Sequence, residues 1–279
     1  AMNTTMLEHP ATQRNLERLR ADGVHFVEPD AGEMACGTIG PGRLSEPERI
    51  VAAALEILKG SKDLAGERFL ITVGATREEI DPVRFISNRS SGRMGFALAE
   101  AALRRGGEVT LVAGTTTVNP PPGARVVRAL SAEEMSQAVK QEMANHSVFI
   151  GAAAIADYRP AQRAEQKIKK SEDQITLTLE RTPDVLSTVA ASRVNGMLVI
   201  GFAAETENVL ENARDKLQRK NLDAIVANDV TREGSGFDSA TNAITIITKD
   251  RNDPVELPLL SKREAADRIL DVIVSLRSS

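Results

Sequence analysis

Three features of the sequence predict an α/β fold built on a parallel sheet with helices on both faces. Short apolar runs such as Phe69-Leu70-Ile71-Thr72-Val73 have the composition of strands buried on both sides. They alternate with longer segments of helical periodicity that end at glycine or begin at a capping residue. Apolar residues make up 42% and charged residues 27%, a globular balance that argues against a disordered or fibrous chain.

Taken in order, Leu16 and Leu19 among Arg and Glu predict a short helix over residues 12–21, and Val24 to Val27 a strand. Ala35 to Arg43 holds three glycines and a proline and reads as a loop with special backbone angles. Ser45 caps a helix through Ile50, Ala54 and Leu58 to Gly60, with acids in its first turn, and a boundary falls near Ser61 to Gly66. Next come a strand at 68–74, a helix at 94–105 closed by Gly106-Gly107, strands at 109–113 and 126–128, a helix at 132–144 and a strand at 147–154. A strand at 198–202, a helix at 207–219 and a strand at 224–227 extend the same sheet. Residues 243–248 and 255–260 read as a closing antiparallel pair before a last helix, Lys262 to Leu276. Tyr158 to Glu180 interrupts this order with the basic run Lys167-Ile168-Lys169-Lys170 and an alternating stretch from Gln174, the pattern of a strand-bearing flap. The expected whole is a Rossmann-like parallel sheet with helices on both faces, the flap, and a C-terminal antiparallel strand pair.

Lys plus Arg number 35 against 39 Asp plus Glu, a net charge of -4, so there is no global field for nucleic acid or an anionic membrane. No run approaches the roughly 18 apolar residues of a spanning helix. Neither a nucleic-acid nor a membrane partner is expected. The single cysteine, Cys36, can form no internal disulfide and no Cys-rich zinc site, which fits the cytoplasm. Ala1 to Met6 lacks the pattern of a signal peptide, and Ala before Met suits an excised piece. His9, His25 and His146 are scattered, and neither HExxH nor GxSxG occurs.

In an open parallel sheet, ligands bind beyond the carboxyl ends of the strands, near the reversal of strand order. Four loops qualify, bearing Asn88-Arg89-Ser90-Ser91-Gly92, Asp157, Glu205-Thr206 and Asn228-Asp229. Ser90, Ser91, Gly92 and Gly95 adjoin a helix start, so amides and hydroxyls can face an anion there. The plainer reading is a capped glycine connection, but the excursion from Ala75 to Ser91 exceeds usual loop lengths and favours function. Neither GxGxxG nor GxxxxGK[ST] is present. Lys167, Lys169 and Lys170 on the flap, with Lys216 and Lys220 on one helix face, supply the charge that a polyphosphate requires; a solvated face is the competing reading.

Several strings together resemble bacterial phosphopantothenate-cysteine ligase: Gly74 to Gly95 (GATREEIDPVRFISNRSSGRMG), AAAIADYRP from Ala152, the Lys167 to Lys170 run, GFAAET from Gly201 and KNLDAIVAND from Lys220. The likeness runs from about Leu64 to the C-terminus. In bacteria this ligase is usually fused behind an FMN-dependent phosphopantothenoylcysteine decarboxylase, and Ala1 to Glu46 resembles that partner's tail. Ala1-Met2-Asn3 resembles its Pro-Ala-Met-Asn motif without the proline, and Ala35 to Arg43 its substrate clasp, with Cys36 as proton donor. The resemblance implies a decarboxylase remnant at 1–46, a linker helix at 47–66 and a ligase domain at 67–279. Because the flavin-binding body is absent, decarboxylation is not expected of this chain, and FMN belongs to the full-length decarboxylase.

The implied reaction belongs to coenzyme A biosynthesis. Phosphopantothenate attacks CTP to give an acyl cytidylate and pyrophosphate, and the amine of cysteine then displaces CMP. By the same resemblance Asn88 and Arg84 hold phosphopantothenate and the intermediate, with Asn88 and Lys167 catalytic. Gly151, Ala152, Ala153, Asp157, Lys167, Pro183, Asp184, Val185, Leu186, Phe202, Lys216 and Lys220 line the CTP pocket. Magnesium accompanies the triphosphate without an all-protein metal site. A homodimer is implied, with the flap placing Lys167 in the neighbouring subunit's site. The rival readings are a non-catalytic Rossmann-like nucleotide-binding module and a short-chain dehydrogenase. The latter needs a Tyr-xxx-Lys pair, and Tyr158 is followed at that spacing by Gln162.

Overall fold

The structure is a computed structural model that describes residues 1–33, 37, 39–59, 62–169, 175–194, 196–205, 207–229, 239, 241–250 and 253–278. The chain divides into two units, Ala1–Ser61 and Lys62–Ser279. In the first, Asn3 caps helix α1 (Thr4–Glu8), and His9 caps α2 (Pro10–Ala21), whose leading proline suits the first turn. Strands β1 (Asp30–Glu33) and β2 (Ile39–Arg43) pair antiparallel, and α3 (Pro47–Lys59) follows.

Two expectations change here. Val24 to Val27 forms no strand, and most of the glycine-rich stretch expected as a loop is β2. Gly40 serves close packing: a Cβ there would lie 2.6 Å from Thr4 Oγ1, so α1 could not approach the hairpin over any larger residue.

The second unit is an eight-stranded sheet. Its parallel strands in chain order are β3 (Arg68–Val73), β6 (Glu108–Ala113), β7 (Arg125–Arg128), β8 (Val148–Gly151), β11 (Leu198–Glu205) and β12 (Ala224–Asp229). Across the sheet they run third, second, first, fourth, fifth, sixth, the doubly wound order whose reversal lies between β3 and β8. Antiparallel β14 (Ile244–Thr248) and β15 (Val255–Glu256) close the β12 side. The predicted fold class holds.

Alternation along the strands builds two cores. Phe69, Ile71 and Val73 pack with Leu98 of α4 (Arg93–Arg104) and Ile269 and Leu270 of α8 (Lys262–Ser278). Leu70, Phe149 and Val199 face α5 (Ala132–Glu142), α6 (Val185–Ser192) and α7 (Val209–Arg219). Burying a large aliphatic or aromatic side chain contributes about 1.5–3 kcal/mol, so these layers dominate the stabilising side.

Other differences trace to local chemistry. The long excursion after β3 contains a hairpin, β4 (Arg77–Glu79) with β5 (Phe85–Ser87). The strand expected to reach Ala154 stops at Gly151, where Ala152 N–H turns back to the Ile150 carbonyl. Among the described residues of the flap, β9 (Tyr158–Pro160) and β10 (Leu179–Arg181) are the strands that pair, and the chain after Ala161 leaves to bond Ile80 through Ala164 N–H. The expected strand at 255–260 is split by Pro258, which cannot donate to a ladder; its second piece, β16 (Leu260–Ser261), pairs with β13 (Thr241–Asn242).

Asp81 pins hairpin and flap together. Its side chain is solvent-inaccessible and accepts from the Val83, Arg84 and Ile168 amides and from Arg84 Nε at 2.9 Å and Nη2 at 2.5 Å. Arg84 Nη2 also donates to the Ile168 carbonyl at 2.9 Å. The Arg84 guanidinium, aided by these amides and opposed by desolvation, holds the Asp81 carboxyl well below the usual carboxylate range.

On Gly95, in the first turn of α4, a Cβ would lie 2.3 Å from Val73 Cγ1. Gly95→Ala is expected to cost about 1–2 kcal/mol, overpacking outweighing the better helix propensity, and thermal melting would show no loss if the account is wrong. The depressed Asp81 value contributes stability that is present above its unfolded value of about 4 and is lost as pH falls through the folded value. Asp81→Asn therefore melts below the parent at neutral pH, and the gap narrows as pH drops under about 4; a gap independent of pH would contradict this.

Candidate active site

At the carboxyl end of the sheet the chain stitches its central strands together. Gly74, with φ of +80°, lets Ala75 pair with both Thr115 and Ala154. A Cβ there would stand 2.4 Å from the Thr115 carbonyl oxygen, so only glycine fits. Beyond this crossing a cleft of about 480 Å³ opens over the strand-order reversal. Ser90, Ser91, Gly92 and Gly95 form one wall. Gly92 is the left-handed N-cap of α4 and no side chain caps that helix, so its first-turn amides have neither helical acceptors nor a capping oxygen.

Six of the expected site residues line this cleft: Asn88, Ala152, Ala153, Asp157, Phe202 and Lys216. Asn88 Nδ2 donates to the Ile155 carbonyl at 2.9 Å, which fixes the plane of an amide able both to donate and to accept. Lys216 Nζ donates to the Phe202 carbonyl at 2.9 Å. Burial, and then the charge of Lys220, push the Lys216 ammonium below the ordinary lysine value against the pull of Glu205, Asp157 and Asp184. A poorly solvated ammonium in a cleft gains strongly from an anion.

A neighbouring group extends from β8 to α6. Leu186 packs against the carboxyl ends of the strands, within 3.3 Å of a Cβ built on Gly151. Pro183 and Asp184 precede α6, and Val185, its first residue, is buried. Asp184 caps α6 by accepting from Ser187 N–H at 3.0 Å and pairs with Lys220 Nζ at 2.7 Å. Burial opposes its ionisation, but Lys220 and Ser187 outweigh that and keep the carboxyl below its usual value.

Arg84 and Lys167 lie elsewhere in the single chain. Arg84 borders a separate depression with Arg77, Phe85 and Arg159, and Lys167 is exposed beside Ile168. Cys36, Lys170 and Thr206 fall outside the described residues. Sequence reasoning missed Asp81, whose carboxylate positions Arg84; the spacing Asp81-Pro82-Val83-Arg84 is the available signal. It also missed Asn242 and Lys262, which line the cleft although each is over nine-tenths buried. Among the described residues no cluster of three His, Cys, Asp or Glu side chains could hold a metal, and no helix is long and apolar enough to cross a membrane.

Residues 64–276 match the family model described as DNA/pantothenate metabolism flavoprotein C-terminal domain, and residues 1–59 match the Flavoprotein model. The coenzyme A biosynthesis bifunctional protein CoaBC of Vibrio cholerae is 49% identical over 275 residues, 98% of this chain and 68% of the relative. That of Escherichia coli K12 is 46% identical over 278 residues, 99% and 68%. The crystal structure of a CoaBC C-terminal domain aligns with a TM-score of 0.67 at 45% identity, covering 77% of this chain and 98% of the other. A Cab2 variant in complex with phosphopantothenate-cysteine shares the fold at 18% identity, with a TM-score of 0.63. With relatives this similar over nearly its whole length, a doubly wound sheet and a cleft at its strand-order reversal, the chain belongs to the CoaBC family of coenzyme A biosynthesis proteins.

Proposed function

We propose that the second unit is a CTP-dependent phosphopantothenate-cysteine ligase. The observation that carries this reading is one cleft that combines the uncapped amino terminus of α4, the Asn88 amide and the half-buried Lys216. The first suits a phosphate through amides and helix dipole. The last suits the charge that accumulates on a departing polyphosphate. Asn88 can bond the oxygens of an acyl phosphate anhydride while held by Ile155.

In this reading the carboxylate oxygen of phosphopantothenate attacks the α-phosphorus of CTP, and the bond to the β-phosphate oxygen breaks. Pyrophosphate leaves with the electron pair. The cytidine half lies toward Asp157, Phe202 and the α6 side, where Gly151, Ala152, Ala153, Pro183, Asp184, Val185 and Leu186 form the expected pocket and Lys216 and Lys220 meet phosphate. Magnesium enters on the triphosphate and neutralises part of its charge, which needs few protein ligands. FMN would serve the fused decarboxylase that the Flavoprotein match over residues 1–59 suggests.

Arg84 and Lys167 share one module through Asp81 and Ile168, away from the cleft of their own chain. A homodimer in which this module serves the neighbouring cleft reconciles their position with the role that the resemblance implies.

Pyrophosphate release that requires CTP, magnesium and phosphopantothenate tests the reading, and Asn88→Ala should lower it by about a hundredfold or more. Equal release from the variant would remove Asn88 from the chemistry, and none from the parent would favour a non-catalytic nucleotide-binding module. Lys216→Met should melt no lower than the parent without nucleotide, because it deletes an ill-solvated charge. Saturating CTP, which stabilises the parent by about 2.7 kcal/mol at a hundred times Kd, should then have little effect on the variant. An undiminished CTP shift would place the triphosphate elsewhere. Mixing Asn88→Ala with Lys167→Ala protein should restore activity in the mixed dimer, and no regained activity would sink the shared-site arrangement.

A further inference from the structure

Among the described residues that line the cleft, Asn242 alone keeps a buried side-chain oxygen without a hydrogen-bond partner. It is 4% exposed, and its Nδ2 reaches only the Met94 thioether at 3.8 Å, a weak acceptor. Buried oxygens in native proteins are nearly always paired with protein, water or ligand, so this oxygen is an acceptor open to a ligand donor in the cleft. Pairing of Asn242 with Leu260 sets it close to Lys262, 8% exposed, and Met94 from the first turn of α4 completes this wall.

The chemistry here differs from the rest of the cleft. The α4 amides and Lys216 are donors and suit anions, whereas the Asn242 oxygen is an acceptor and suits N–H. Of the three substrates proposed above, CTP and phosphopantothenate bring chiefly negative charge, and the amino acid brings an ammonium beside a carboxylate.

We propose that Asn242 and Lys262 seat the amino-acid nucleophile, the Asn242 oxygen holding the α-amino group and Lys262 the carboxylate; this rests on the ligase reading. The ammonium gives one proton to solvent, and its nitrogen lone pair forms the bond to the acyl carbon. The bond from that carbon to the phosphate oxygen breaks, and CMP departs with the electron pair. The nitrogen passes a second proton to solvent, leaving the amide. Asn242 is a positioning residue in this step.

Asn242→Leu removes the acceptor at similar volume, and Asn242→Asp keeps it and serves as the folding control. The expected result for Asn242→Leu is a KM for cysteine raised about tenfold or more, with the KM for CTP and the cysteine-independent release of pyrophosphate within about twofold of the parent. Asn242→Asp should return the cysteine KM toward the parent value. A parallel loss of both half-reactions, or a raised KM for CTP with unchanged KM for cysteine, would overturn the proposal in favour of a structural or nucleotide-binding amide. The thermal shift produced by cysteine in the presence of phosphopantothenate is read separately. Its survival in Asn242→Leu also overturns the seat, whereas absence of CTP-dependent pyrophosphate release from the parent overturns the ligase reading.

Discussion

The close approach of three backbone segments where the strand order reverses governs the functional end of this protein. Gly74 turns through a left-handed conformation so that Ala75 bonds Thr115 on one side and pairs with Ala154 on the other. That crossing ends β3 and β8 at one level and lets the loops that follow them diverge around a cleft. Gly92 and Gly95 continue the same constraint, the first lying 2.7 Å from Thr116 Cγ2 through a built Cβ and the second crowding Val73. Three glycines thus do the physical work of a dinucleotide-binding fingerprint: a tight turn, an open helix amino terminus and close helix-to-strand packing. They are spread over Gly74 to Gly95 because a hairpin has been inserted between turn and helix.

That hairpin gives the molecule a second module. Asp81 binds Arg84 and the Ile168 amide at once, so the insertion after β3 is tied to the flap segment that bears Lys167. The cleft and this module are differently charged neighbourhoods. In the cleft, Lys216 is half-buried and destabilised by burial, a cost that an anionic ligand can offset. In the module, Arg84 is matched by a solvent-inaccessible carboxylate and its geometry is fixed before any ligand arrives.

Much of this was legible in the sequence, for definable reasons. Doubly buried strands such as Phe69 to Val73 announce themselves by composition, and the rule that ligands bind beyond strand ends picked loops of which those bearing Asn88 to Gly92, Asp157 and Asn228 contribute to the cleft. What was not legible depended on tertiary partners. The glycines at 37, 40 and 42 resemble a loop until one sees that Gly40 lies under Thr4. The alternating stretch before Glu180 resembles a longer strand, but among its described residues pairing needs a neighbour, and beyond Ala161 the chain turns toward Ile80. Asn242 and Lys262 carry no local signature because a two-residue ladder far along the chain brings them to the site. No spacing rule would have found them.

In the proposed reaction one cleft activates a carboxylate with CTP before the amine arrives. The most direct measurement is to mix the protein with magnesium, phosphopantothenate and CTP labelled at the α-phosphate, without cysteine, and separate the quenched products. The account predicts label in an acyl cytidylate, one pyrophosphate released per labelled molecule, and transfer of the label to CMP when cysteine is added. Label appearing in CDP, or no pyrophosphate until cysteine is present, would contradict it.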